Sequence, residues 1–157
     1  MTCSNRWTSA AAHFSALQLA SPLFTTAVWG DEKAQRIVSI GGSVTEIIHE
    51  LGEADRLIAR DSTSLHPQSI TELPDVGYIR RLAPEGVLSV DPDLIVTLDG
   101  AGPPEAVTVL KSAGVKFVSL PETYDADGVV SKIEGVGRAL DIEDKAAAMA
   151  ASARSAF

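Results

Sequence analysis

The sequence predicts an α/β fold: a single Rossmann-like lobe with a mainly parallel four-stranded sheet and helices on both faces. Three observations carry this. Four short runs, Arg36–Ile40, Arg56–Ala59, Leu94–Leu98 and Lys116–Leu120, have the near-continuous apolar character of parallel strands buried on both faces. Segments with apolar residues at helical spacing lie between and after them, so strand and helix alternate as in β-α-β units. At 157 residues, 45% hydrophobic and 22% charged, the chain has the size and composition of one globular domain.

Residues 1–30 hold one charged side chain, Arg6, then an Ala/Ser/Leu/Phe-rich stretch from Ser9 to Trp29, followed by Asp31, Glu32 and Lys33. That order suggests an export signal with a cleavage point at Ala27 or Gly30, a disordered tail being the alternative. Cys3 precedes the apolar stretch, where it is badly placed for a lipid anchor. The first strand ends in Gly41-Gly42-Ser43. Ser43 and Glu46 have the spacing of a capping box opening a helix over Val44–Leu51, which Gly52 stops.

After the second strand, Asp61–Pro74 is polar, turn-forming and much longer than the usual α/β connector of about 2 to 6 residues. Long loops at strand ends are where function concentrates. Between the third and fourth strands, Pro103 and Pro104 suit a first helical turn, and Glu105–Ala113 continues it to Gly114. Ala126–Leu140 and Glu143–Ala156 read as two further helices, the second Ala-rich with apolar residues all round. Asp141 with Asp144 is the expected cap between them.

Composition excludes several function classes. Thirteen Lys and Arg against 21 Asp and Glu give a net charge of −8, which repels a phosphate backbone, so no nucleic-acid partner is expected. One cysteine leaves no internal disulfide and no thiolate metal cluster. No apolar run reaches the roughly 20 residues of a bilayer-spanning helix.

The Gly41-Gly42-Ser43 turn at a helix start has the geometry for an anion. It lacks dinucleotide and P-loop spacing, and Ser43 lacks the Gly-x-Ser-x-Gly elbow. A small α/β enzyme using this turn would need a base, and beyond residue 30 the histidines are His49, on the apolar first helix, and His66, alone in the polar loop. A single histidine is not a metal site. Asp91, Asp93 and Asp99 bracket the third strand as caps and turn formers.

Asp75-Val76-Gly77-Tyr78-Ile79-Arg80-Arg81 is the segment least explained by packing. A phenolate is a hard anionic oxygen ligand suited to ferric iron, and tyrosine serves as an axial haem ligand. Because a free phenol titrates near about 10, ligation needs the anion stabilised by the metal and a nearby guanidinium. Tyr78 with Arg80 meets that need in outline. The bare residues also admit a half-buried loop tyrosine with a packed ring and a wet hydroxyl.

Read together, RIVSIGGSVTEIIHELG, RDSTSLHP and LPDVGYIRRLAPEGVLSVDPDLIV resemble the N-terminal lobe of periplasmic solute-binding proteins of ABC importers for haem. Siderophore and cobalamin binders are more distant relatives. The likeness runs from Arg36 to at least Leu140; the Gly-Tyr-x-Arg-x-Leu-x-x-Glu-Gly stretch from Gly77 to Gly86 is its specific part, and Ser39–Glu46 is shared by the whole superfamily.

The resemblance implies that Tyr78 is the axial ligand of haem iron, that Arg80 hydrogen-bonds its oxygen, and that Glu85 docks on an arginine of the inner-membrane permease. A glutamate after Pro84 is also what a helix dipole favours. The implied function is haem capture in the periplasm for delivery to an ABC importer, without catalysis; the alternative is a ferric-siderophore or cobalamin binder. Such proteins have two α/β lobes, so residues 36–140 correspond to the N-terminal lobe and 141–157 to the start of the helical region joining the lobes. That correspondence implies a fragment or a truncated form, and a lone lobe with an open binding face is expected to self-associate.

Overall fold

In the computed structural model, which describes Met1 and residues 33–157, the β-branched runs become β1 (Ile37–Ile40), β2 (Leu57–Arg60), β3 (Leu94–Leu98) and β4 (Lys116–Leu120). The export reading of residues 1–30, with Cys3, lies outside the described residues. The four strands form one sheet in the order β2-β1-β3-β4, every neighbouring pair parallel.

Side chains alternate across the sheet, which splits the core in two. Ile37, Leu94, Val96 and Leu98 pack with Val44 and Ile48 of α1 (Gly42–Glu50), Ile133 and Val136 of α4 (Ala126–Leu140), and Ala146 of α5 (Glu143–Ser155). Val38, Ile40 and Ile95 pack on the other face with Val87 of α2 (Pro84–Leu88) and Leu110 of α3 (Pro104–Ser112). Central β1 and β3 are buried throughout.

Strand β4 departs from the expected burial on both faces. Lys116 and Ser119 are exposed, Phe117 and Val118 half-buried, and only Leu120 is buried. Among the described residues it has a partner on one side alone, and an edge strand carrying lysine resists pairing with another chain.

Helix α1 also differs, because it starts at Gly42 and its N-cap, Gly41, receives no side-chain cap from within the helix. The Asp61 carboxylate accepts from Gly41 N–H at 2.9 Å and the Thr63 hydroxyl accepts from Gly42 N–H at 3.2 Å. Two donors at the helix start are thus satisfied from another loop, and Ser43 lies inside the helix rather than capping it. Asp141, expected to cap α5, instead closes α4 in the left-handed conformation at φ 58°. The α4–α5 turn is so short that Ile142 is the next N-cap, without a side-chain bond. Asp125 is the capping residue, accepting from Gly128 N–H at 2.6 Å.

Small residues let α4 and α5 touch: a Cβ on Gly137 would collide with the Ala146 methyl. Buried Arg56 donates to the carbonyls of Ala34 and Leu140 and to Glu53 at 2.9 Å. Burial opposes ionisation of Glu53, but hydrogen bonds from Lys145, at 2.5 Å, and Arg56 outweigh it and hold the carboxyl below the usual range.

Candidate functional site

The connection leaving β1 runs to β2 on one side and the connection leaving β3 runs to β4 on the other, so the strand order reverses between β1 and β3. Parallel sheets bind ligands outside the carboxyl ends of strands at such a reversal. A hollow of about 230 Å³ lies there: Gly41 and Gly42 after β1 and Asp99 and Gly100 after β3 line it, with Tyr78 and Arg80 on one flank and Glu122 and Tyr124 on the other.

Tyr78 reaches this edge through a stitched loop. Arg60 N–H donates to Pro74 carbonyl at 3.0 Å and Val76 N–H to Arg60 carbonyl at 2.9 Å, so the chain runs beside the end of β2. The buried Arg60 guanidinium bonds Asp61 carbonyl and Asp75, at 3.1 and 3.3 Å. Gly77 turns at φ 103°, a conformation other residues rarely adopt, while its carbonyl accepts from Ser62 N–H at 3.0 Å. Beyond Tyr78, Ile79 carbonyl accepts from Gly102 N–H at 2.9 Å and Leu82 N–H donates to Gly102 carbonyl at 2.7 Å. The phenol therefore stands on anchored backbone, with Tyr78 46% exposed.

Arg80 is exposed and is the only cation among the described residues lining the hollow. Its guanidinium passes beside Gly100, and among the described residues it makes no side-chain hydrogen bond or ion pair with protein. No hydrogen bond joins it to Tyr78 among the described residues. The hollow thus offers a solvent-facing phenol and a guanidinium without a partner among the described residues. Glu85 is exposed in the first turn of α2 and does not line the hollow.

Beneath the floor sits a network that sequence reading missed. Fully buried Asp61 accepts from Gly41 N–H, Thr63 N–H, Thr63 hydroxyl and Ser64 hydroxyl at 2.9, 3.2, 2.7 and 2.7 Å. The Ser64 and Thr45 hydroxyls lie 2.6 Å apart, and those of Thr45 and Ser39 2.8 Å apart. The Asp-Ser-Thr-Ser run was the available signal, since Asp, Ser and Thr side chains readily bond nearby backbone. On the far flank, buried Lys132 donates to Glu122 at 2.6 Å and to the Ser43 hydroxyl at 3.1 Å.

These contacts weaken the enzyme reading of Gly41–Ser43. The Gly41 and Gly42 N–H groups that an anion would use are already committed, and Ser43 accepts from a lysine rather than facing a histidine. His49 is partly packed on α1, its Nδ1 3.6 Å from Glu50, and His66 is exposed. Among the described residues no three His, Cys, Asp or Glu side chains cluster as a metal site, and no helix is long and apolar enough to cross a membrane.

Residues 37–157 match the model of the family described as periplasmic binding protein. A periplasmic haem-binding protein from Pseudomonas aeruginosa superposes with a TM-score of 0.74 at 38% identity, over 78% of this chain and 44% of that one. The periplasmic vitamin B12 binding protein BtuF of Vibrio cholerae superposes with a TM-score of 0.69 at 26% identity, over 78% and 48%. In sequence, the vitamin B12-binding protein of Vibrio campbellii is 27% identical over 112 residues, 71% of this chain and 40% of that protein. The chain spans less than half the length of each.

Proposed function

The chain belongs to the periplasmic binding protein family, and we propose that it captures ferric haem through Tyr78 and delivers it to an ABC importer, after export directed by residues 1–30. The observation that carries this reading is the exposed Tyr78 phenol sharing the carboxyl-edge hollow with Arg80. Greater identity with a haem-binding structure, 38%, than with a vitamin B12-binding one, 26%, supports it.

As phenolate, Tyr78 supplies the oxygen that binds ferric iron, and Arg80 stabilises the anion by a charge-assisted bond. A cobalamin binder, the reading favoured by the B12-binding relatives, needs no such phenolate.

Hemin titration with visible spectroscopy tests the proposal, with cobalamin in parallel. Tyr78→Phe removes one hydroxyl from a loop position, so it is expected to abolish the tyrosinate band on hemin and leave the fold unchanged. An unaltered spectrum, or binding of cobalamin in preference to hemin, overturns the assignment. Arg80→Ala keeps the iron ligand but loses the bond that favours the anion. Iron ligation is then expected to fail at a higher pH on acidification than in the wild type.

Glu85 is proposed as the contact to a cationic side chain of the permease. Glu85→Lys replaces attraction by repulsion, so binding to vesicles carrying the importer is expected to fall about tenfold or more, with hemin affinity unchanged. Undiminished binding reduces Glu85 to a helix-start residue. Sedimentation during the hemin titration reads self-association of the chain, which is proposed to follow from the open hollow.

A further inference from the structure

We propose that Tyr124 is a second ligand-contacting aromatic of the hollow, its ring packed against the planar macrocycle whose iron Tyr78 holds; this rests on the haem reading above. Tyr78 and Tyr124 enter the same hollow from opposite flanks, one from the loop following β2 and the other from the segment following β4. Between them the floor includes Gly41, Gly42 and Gly100, which present backbone rather than side chains. That arrangement is a slot open to a flat molecule.

Tyr124 is 90% exposed, the most solvent-accessible large aromatic of the described chain. The backbone that carries it is nevertheless anchored. The next residue, Asp125, caps α4 through the 2.6 Å bond from Gly128 N–H, and Gly128 sits so close to Thr123 that a Cβ there would collide with it. A large ring exposed to water on anchored backbone, with no protein partner for its hydroxyl among the described residues, is the form of an unfilled contact.

The charge around it is mixed: Asp99 also lines the hollow, its carboxylate accepting from the Ser119 hydroxyl at 2.5 Å, and Arg80 supplies one guanidinium. Glu122, beside Tyr124 on the rim, is paired with buried Lys132 at 2.6 Å, so it does not stand as an uncompensated anion against the propionates of a haem. Arg80 lines the same hollow with its guanidinium beside Gly100, two residues along the chain from the Tyr78 whose oxygen it is proposed to stabilise. Tyr124 is therefore assigned the ring contact and Tyr78 the iron.

The two roles separate with iron-free protoporphyrin IX, which retains the flat ring but cannot be ligated. Hemin and this porphyrin are titrated into the wild-type chain, Tyr124→Ala, Tyr124→Phe and Tyr78→Phe. Loss of one aromatic stacking contact is expected to make Tyr124→Ala bind both about tenfold more weakly. Its tyrosinate band on hemin persists, Tyr124→Phe binds both porphyrins as the wild type does, and Tyr78→Phe weakens hemin alone.

Wild-type affinity of Tyr124→Ala for the iron-free porphyrin overturns the inference by itself, and so does loss of the tyrosinate band in Tyr124→Phe. A wild-type chain that binds neither porphyrin overturns it together with the haem reading.

Discussion

Asp61→Ala is expected to destabilise the lobe by about 3–5 kcal/mol, since it removes the acceptor of the buried Gly41 N–H and Ser64 hydroxyl and of two part-buried Thr63 donors at once. The carboxylate is fully buried and accepts from Gly41 N–H, Thr63 N–H, and the hydroxyls of Thr63 and Ser64. A methyl group leaves Gly41 N–H beneath the hollow with no acceptor, and hydroxyls can turn but a backbone N–H cannot. Against a domain stability of about 5–15 kcal/mol, that loss is large. Asp61→Asn keeps the shape and one acceptor oxygen, and the Thr63 hydroxyl can rotate to accept from its amide; about half the loss is expected. Urea unfolding midpoints measure both. A decrease below about 1 kcal/mol for Asp61→Ala would show that the surrounding groups find other partners.

The strands were legible because β-branched runs bounded by glycine and proline leave few other options. Three strand boundaries shift by one residue, β1 starting at Ile37 rather than Arg36 and β2 running Leu57–Arg60 rather than Arg56–Ala59, and the last of them is instructive. The expected second strand stops at Ala59, yet Arg60 belongs to β2 and is buried, its guanidinium bonded to Asp61 carbonyl and Asp75. A charged residue reads as a loop until its partners are known, and those partners lie in the following loop. The capping box at Ser43 fails for a related reason: local spacing permits it, but Asp61 and Thr63 already hold the backbone donors.

The site was legible in proportion to how local its chemistry is. Tyr78 and Arg80 sit two residues apart, so one motif exposes both, and the structure puts both on the hollow. Tyr124 has no motif; it becomes notable only when the sheet brings the ends of β2 and β4 to a common edge. Lys132 is similar, an ordinary helical lysine in sequence and a buried clamp between Glu122 and Ser43 in space.

Gly41→Ala is expected to cost about 2–5 kcal/mol, from two separable causes, and to weaken the hemin binding proposed for the hollow. The backbone there is at φ 115°, which an L side chain rarely adopts, and an added Cβ would lie 2.7 Å from the Leu98 side chain. Leu98 is on buried β3 and also lines the hollow, so any shift that relieves the clash disturbs the site. Gly52→Ala is the internal comparison, because Gly52 has φ +76° but open space around its missing Cβ. It bears backbone strain without the collision, and about 1 kcal/mol is expected. Gly41 N–H is also the donor to Asp61, so the two sites are coupled. Once Asp61 is alanine, residue 41 can relax more freely, and the double variant is expected to lose less than the two single losses combined. Equal losses in Gly41→Ala and Gly52→Ala would remove Leu98 from the account, and strict additivity with Asp61→Ala would show that the Gly41–Asp61 bond does not hold the turn in place.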